Sequence, residues 1–325
     1  MIYITGLIII LLIFTNAITD APNAISTIVG TNVISFRKAA YLSAVFNLVG
    51  IITMCFINFS VAENIATIIN IEDGTFGIIS LLSAMISVIV FALISMKFGI
   101  PTSETHGLVA GLTGSAIALG DFQNVNLEEW GKVVIGLLWS IFGTYMLCKS
   151  INLIFRKKIN KLQKSKVEKL QIFSCIGLSF MHGAQDGLKF IGVFIIYFCG
   201  IRNIDVATNL GVWDNIWVII FVSSIMSIGV GIGGKKIVEN IGRNISRLSN
   251  VDAILTDIST VFSLFIASII GIPVSTTHCK TVSIIAVGNN INKTLVKCII
   301  KAWIITFPVC IILSFGISKL ILWFY

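Results

Sequence analysis

Gly99-Ile100-Pro101-Thr102-Ser103-Glu104-Thr105-His106 returns 172 residues later as Gly271-Ile272-Pro273-Val274-Ser275-Thr276-Thr277-His278, with six of eight positions identical. Proline stops a preceding helix and suits the first turn of a new one. The Ser or Thr that follows can cap that turn. A helix start exposes free backbone N–H groups and about half a positive charge, which favours an anion. Two copies therefore predict two helix starts facing one oxyanion, with Ser103, Thr105, Ser275, Thr276 and Thr277 adding hydroxyl donors. The alternative is that these hydroxyls only cap helix ends or bond carbonyls four residues back, as is common in membrane helices.

A looser pair precedes each copy. Asp20 lies in TNAITDAPNAISTIVG and Asp186 in MHGAQDGLKFIGVF, so an Asp-bearing segment comes first in both halves. Scarce residue types gather in these segments. All three histidines (His106, His182, His278) and three of four prolines (Pro22, Pro101, Pro273) fall inside them, which marks one shared site.

Composition sets the surroundings. Of 325 residues, 56% are hydrophobic and 12% charged, against roughly 25% charged in a soluble domain. Mean hydropathy is +0.98. A spanning helix needs about 20 mostly apolar residues. Such stretches occur at Ala39–Phe59, Phe76–Phe98, Val133–Phe155, Ile172–Phe198, Trp213–Gly233 and Cys298–Tyr325. The N-terminus has no basic region and no small-residue cleavage site, so it reads as a first span kept in the mature protein. Seven scattered cysteines without a CxxC provide neither a disulfide framework nor a zinc site.

The net charge of +8 does not point to nucleic acid, because it is concentrated. Arg156, Lys157, Lys158, Lys161, Lys164, Lys166 and Lys169 share one connection, 156–170, which the positive-inside rule makes cytoplasmic. This run can also contact anionic lipid headgroups. Counting outward from it, Glu63, Glu72, Asp73, Asp121, Glu128 and Glu129 lie outside, as do both termini. Arg37, Lys38, Lys235, Lys236, Arg243, Arg247, Lys293 and Lys297 lie inside. Acids flank the first octapeptide and bases the second, so the halves are inverted: 1–125 and 171–325, joined by a span and basic loop over 126–170. Inverted repeats with broken helices at the midplane are a secondary-transporter architecture. The long segments Ile2–Ile34 and Gln171–Gly200 read as broken helices. Phe76–Gly120 and Ala253–Gly288 read as re-entrant hairpins turning at the prolines, with two full spans each as the alternative. The expected fold is thus an all-α integral membrane transporter in the cell membrane.

An ionisable residue at membrane depth costs about 2.5–3.5 kcal/mol on insertion scales, so each needs a reason. The acids at depth are Asp20, Glu104, Asp186 and Asp257. Asp20 and Asp186 ask for counter-charges. Sodium takes carboxylate, amide and carbonyl oxygens, which makes Asn16, Asn23 and Gln185 candidate partners; protonation is the alternative. Lys189 is an ion-pair partner of Asp186 or an anion contact. His106 and His278 read as hydrogen-bonded packing residues, and His182 stands one turn from Asp186, so that one orients the other.

These motifs resemble the PiT family of inorganic phosphate transporters, which includes bacterial sulfate permeases. The resemblance rests on TDAPNAISTIVGT (19–31), GIPTSETHGLVAG (99–111), MHGAQDGLKFIG (181–192) and GIPVSTTHCKTVSIIAVG (271–288), and runs from about residue 14 to 310. It implies an inverted-repeat fold, cation-coupled uptake, and a site carried by Asp20, Asn23, Ser103, Asp186, Asp257, Ser275 and Thr276. Asn47 stands where many members have Glu, Glu104 replaces a small or hydroxyl residue, Gln185 replaces Asn and Leu188 replaces Gln. The expected function is phosphate symport coupled to sodium or protons, without a cofactor. The anion set is Ser103, Thr105, Ser275, Thr276, Thr277, Gln185 and Lys189. The cation set is Asp20, Asn23, Asn16, Asp186 and Asp257, with sodium at Asp20, Asn23 and Asp186. Glu104, His106, His182 and His278 are supporting residues. Sulfate is the alternative substrate, and a passive anion channel or a homo-oligomer is compatible with the motifs. An intramembrane metal hydrolase is a remote alternative, since no HExxH is present.

Overall fold

The structure, a computed structural model, describes residues 1–20, 22–69, 74–120 and 125–324, with the backbone alone at Ala207, Lys236, Asn240 and Arg243. Glu72, Asp73, Asp121 and Tyr325, and the Lys236 and Arg243 side chains, lie outside the described residues.

The described chain is helical almost throughout. The first half holds α1 (Ile2–Asp20), α2 (Pro22–Gly30), α3 (Phe36–Ile57), α4 (Ser60–Ala66), α5 (Gly74–Phe98) and α6 (Glu104–Leu119). The connection is α7 (Leu127–Leu138), a π-turn (Trp139–Gly143) and α8 (Thr144–Asn160). The second half holds α9 (Lys164–His182), a π-turn (Gly183–Gly187), α10 (Leu188–Arg202), α11 (Ile216–Ile232), α12 (Lys235–Glu239), α13 (Asn250–Ile270), α14 (Thr276–Val287) and α15 (Lys293–Phe324). Among the described residues seven helical stretches are long and apolar enough to cross a membrane, and Ile216–Ile232 is a shorter apolar helix. Their outer faces present large apolar side chains such as Leu153, Trp217 and Trp323, each about four-fifths exposed. Hydroxyls, amides and acids turn inward, as a chain solvated by lipid requires.

Both octapeptides fold the same way for local reasons. α5 and α13 each end on a glycine in the left-handed region, Gly99 at φ 66° and Gly271 at φ 79°, a backbone that a Cβ would strain. The next residue closes the helix end, Ile100 N–H donating to Ser95 (3.0 Å) and Ile272 N–H to Ala267 (2.9 Å). Proline then redirects the chain. Ser103 and Ser275 cap α6 and α14, accepting from the backbone N–H of His106 (3.4 Å) and His278 (3.2 Å). α6 has 16 residues and α14 has 12. At 1.5 Å per residue neither reaches across a hydrocarbon core of about 30 Å. The arms interlock: α6 packs on α5 and on α15, the helix after the second hairpin, while α14 packs on α13 and on α8, which follows the first.

Two expectations change form. The segment around Asp186 is not broken. Helix runs from Lys164 to Arg202, and the polar stretch is absorbed by the π-turn Gly183–Gly187. The reason lies in α3: a Cβ on Gly183 would stand 2.2 Å from the Asn47 carbonyl oxygen. Gly183 thus lets two backbones touch, and widening the turn aims the side chains after it. The basic run is also not a loop. Arg156–Lys158 end α8, Lys164–Lys169 open α9, and only residues 161–163 connect them. Lys and Arg are good helix formers, so a charged run need not interrupt helix.

Candidate functional site

The two capped turns meet in the interior, where Thr105 Oγ1 lies 3.5 Å from the Val274 carbonyl oxygen of the other turn. Around them the acids of both halves are arranged. Asp20, at the end of α1, accepts at Oδ1 from Thr277 Oγ1 (2.7 Å) and Asn23 Nδ2 (3.1 Å), and at Oδ2 from Asn16 Nδ2 (3.3 Å). Asn23 Nδ2 also donates to Thr277 Oγ1 (2.8 Å). Asp186, in the π-turn, accepts at Oδ1 from Lys189 Nζ (2.7 Å) and at Oδ2 from Thr276 Oγ1 (3.0 Å), with His182 Nε2 at 3.2 Å. Lys189 Nζ donates further to Thr105 Oγ1 (2.7 Å) and the Val274 carbonyl (2.6 Å). All these side chains are buried.

This settles where the hydroxyls of the octapeptides go. At several other positions the carbonyl four residues back takes the hydroxyl, as with Thr15 to Leu11 (2.8 Å) and Thr260 to Thr256 (2.8 Å). Ser103 and Ser275 are caps. Thr276 and Thr277 instead donate to Asp186 and Asp20, acids from both halves, while Thr105 accepts from Lys189.

The remaining predicted residues divide. Gln185 ties the π-turn to the second hairpin, donating from Nε2 to Ser268 Oγ (2.7 Å) and accepting the Val274 N–H at Oε1 (3.4 Å). Glu104 joins the Asp20 side: Oε1 accepts from Thr19 Oγ1, and Oε2 has no partner among the described residues. The Oδ1 atoms of Asn16 and Asn23 are likewise buried without a donor. These three oxygens, without donors among the described residues, are of the type a hard cation takes. His182 is held from its other face by Asn47 Nδ2, 2.8 Å from Nδ1. His106 and His278 pack ring to ring, centroids 4.6 Å apart, between Phe307 and Trp303. Both His278 ring nitrogens and His106 Nδ1 lack partners among the described residues, so the hydrogen bonds expected of these two histidines are not made there.

Asp257 does not join the cluster around Asp20 and Asp186. Its carboxylate pairs with Lys280, accepts at Oδ1 from Thr27 Oγ1 (2.8 Å) and at Oδ2 from Ser174 Oγ (3.1 Å). Among the described residues, the cation beside Asp257 is the Lys280 ammonium. Lys280 was missed, although a lone lysine in the apolar stretch Thr276–Val287 carries the signal already applied to the acids. Thr19, Thr27 and Ser174 were missed too, and one hydroxyl among many gives no such signal.

Comparison with known proteins identifies the family. The sequence model of the phosphate transporter family matches residues 16–168 and again 144–314. A protein of Bacillus subtilis described as a "probable low-affinity inorganic phosphate transporter" is 28% identical over 309 residues, covering 91% of this chain and 90% of its own length. A Rhizobium meliloti protein of the same description is 28% identical over 322 residues, covering 96% and 94%. A solved structure titled "The sodium-dependent phosphate transporter" superposes with a TM-score of 0.82 at 19% identity, covering 100% of this chain and 99% of its own, and so shares the fold. With a family match running through both halves, this multi-pass membrane chain belongs to the phosphate transporter family, among transporters rather than enzymes.

Proposed function

We propose that the protein moves inorganic phosphate across the cell membrane in symport with a cation, through one site built jointly by its two halves. The observation that carries this reading is the crossing of hydrogen bonds. The second turn reaches Asp20 of the first half through Thr277, and the first turn reaches Lys189 of the second through Thr105. Phosphate binds between the starts of α6 and α14, on their free backbone N–H groups and the hydroxyls of Ser103, Thr105, Ser275, Thr276 and Thr277. Gln185 and Lys189 border it. The cation binds beside Asp20, with the free oxygens of Asn16, Asn23 and Glu104; sodium suits an all-oxygen set. An anion next to uncompensated carboxylates is repelled, so the anion is held only once the cation is in place, and this links the two movements. Lys189 already neutralises Asp186, leaving Asp20 to take the exchangeable ion. In this reading the halves have opposite membrane orientation, the α5–α6 and α13–α14 pairs are re-entrant, and the basic ends of α8 and α9 face the cytoplasm.

The test is uptake of radiolabelled phosphate into proteoliposomes with sodium and proton gradients imposed separately. A sodium gradient is expected to drive accumulation, with sulfate a poor competitor. Uptake indifferent to both gradients would instead mark a passive channel, and sulfate carried in preference would overturn the substrate.

A further inference from the structure

Lys280 is the largest fully buried side chain among the described residues, and nothing in the proposed phosphate site uses it. Its ammonium sits where four helices meet. Asp257 comes from α13, Thr27 from α2 of the first half, and Ser174 and Gln171 from α9. The groups facing it are oxygens: the Asp257 carboxylate and Thr27 Oγ1, the latter 3.1 Å from Nζ. Ser174 Oγ holds the other carboxylate oxygen, and the neighbouring Gln171, whose Nε2 bonds Thr31 Oγ1 at 2.7 Å, has an unpartnered Oε1. One carboxylate with hydroxyl and amide oxygens is a hard-cation donor set.

The repeat shows that packing alone does not require this ion pair. At the 172-residue offset, Asp257 and Lys280 correspond to Met85 and Leu108, both buried apolar residues on α5 and α6. The first hairpin thus carries no charge at these positions. Replacing a buried ion pair by apolar groups is often neutral or stabilising, so hairpin stability gives no reason for the charge. Thr27 does, because it belongs to α2, the helix that follows Asp20.

We propose that the Lys280 ammonium is a tethered cation filling a cation-binding pocket of Asp257, Thr27 and Ser174, so that this corner carries a fixed charge where an exchangeable monovalent cation would otherwise bind. The proposal rests on the cation-coupled reading above for its meaning, but its test does not. Lys280→Ala removes the charge, opens the space it filled and leaves the oxygens in place.

The full-length chain in detergent is unfolded thermally in sodium chloride and in choline chloride at equal ionic strength. Lys280→Ala is expected to gain a sodium-specific rise in Tm of about 2–4 °C beyond whatever the parent shows. The double variant Asp257→Asn/Lys280→Ala is expected to return to the parent response. Recovery of folded Lys280→Ala in sodium but not in choline is the same result in stronger form. A sodium response equal to the parent's, an extra response that survives in the double variant, or failure to recover Lys280→Ala in sodium would each overturn the proposal. Sodium-independent phosphate uptake by the parent would remove the coupling reading and leave the thermal result standing.

Discussion

Asp186→Asn is expected to abolish phosphate uptake and to destabilise the protein, and a second substitution separates these effects. The carboxylate holds Lys189 and Thr276, with His182 Nε2 at 3.2 Å, and Lys189 in turn holds Thr105 and the Val274 carbonyl of the second turn. Neutralising it leaves the Lys189 ammonium without the carboxylate it contacts. Breaking one partner of a buried pair costs about 3–5 kcal/mol, and each 1.36 kcal/mol is a factor of ten in an equilibrium. Occupancy of the organised site should fall by about two to four orders of magnitude, read as uptake in proteoliposomes, with the loss of stability read as thermal midpoint in detergent. Asp186→Asn/Lys189→Met removes both charges. It should recover most of the midpoint and none of the uptake. Recovered uptake in the double variant would show that the pair is structural only.

Asp20→Asn is expected to behave differently. Among the described residues no ion pair involves Asp20; its partners are Thr277, Asn23 and Asn16, neutral donors that can also serve a carboxamide. Removing the charge strands no ammonium, so the midpoint should stay within a few degrees of the parent. Sodium-driven accumulation should nevertheless be lost, because the carboxylate supplies the charge that makes a cation worth binding there. The measurement is the ratio of uptake with and without a sodium gradient. It should fall to about one, whereas a ratio matching the parent's would move the coupling ion away from Asp20.

The two substitutions show which parts of the structure could be read beforehand. The octapeptides were legible because their signals are local: a glycine whose backbone excludes a Cβ, a proline that redirects the chain, a serine that caps. Asp20 and Asp186 were legible because a carboxylate at membrane depth demands a reason. Partner choice was not legible. Thr277 finds Asp20 across 257 residues, and Lys280 finds Asp257 where the first half has Leu108 and Met85, so neither follows from spacing. The continuous helix through Asp186 depends on α3 touching Gly183 at Asn47, a tertiary contact with no local trace. A polar run of this kind reads equally well as a break. The helical ends of the basic run were hidden for the opposite reason: its charge is a strong sign of sidedness and a weak one of secondary structure.

Asymmetry between the halves gives the account its direction. Asp186 has a covalently attached counter-charge within reach and Asp20 has amides and hydroxyls. Glu104, where the second copy has Thr276, adds an acceptor to the Asp20 side. A symmetric pair of turns thus frames one side already neutralised and one side open to an ion.

A structure determined with phosphate and sodium bound tests the shared site most directly. Anion density is expected within hydrogen-bond distance of both helix starts, at the Ser103–Thr105 and Ser275–Thr277 turns, with a cation beside Asp20. Density for phosphate on one turn alone, or away from both, would contradict a site made jointly by the two halves.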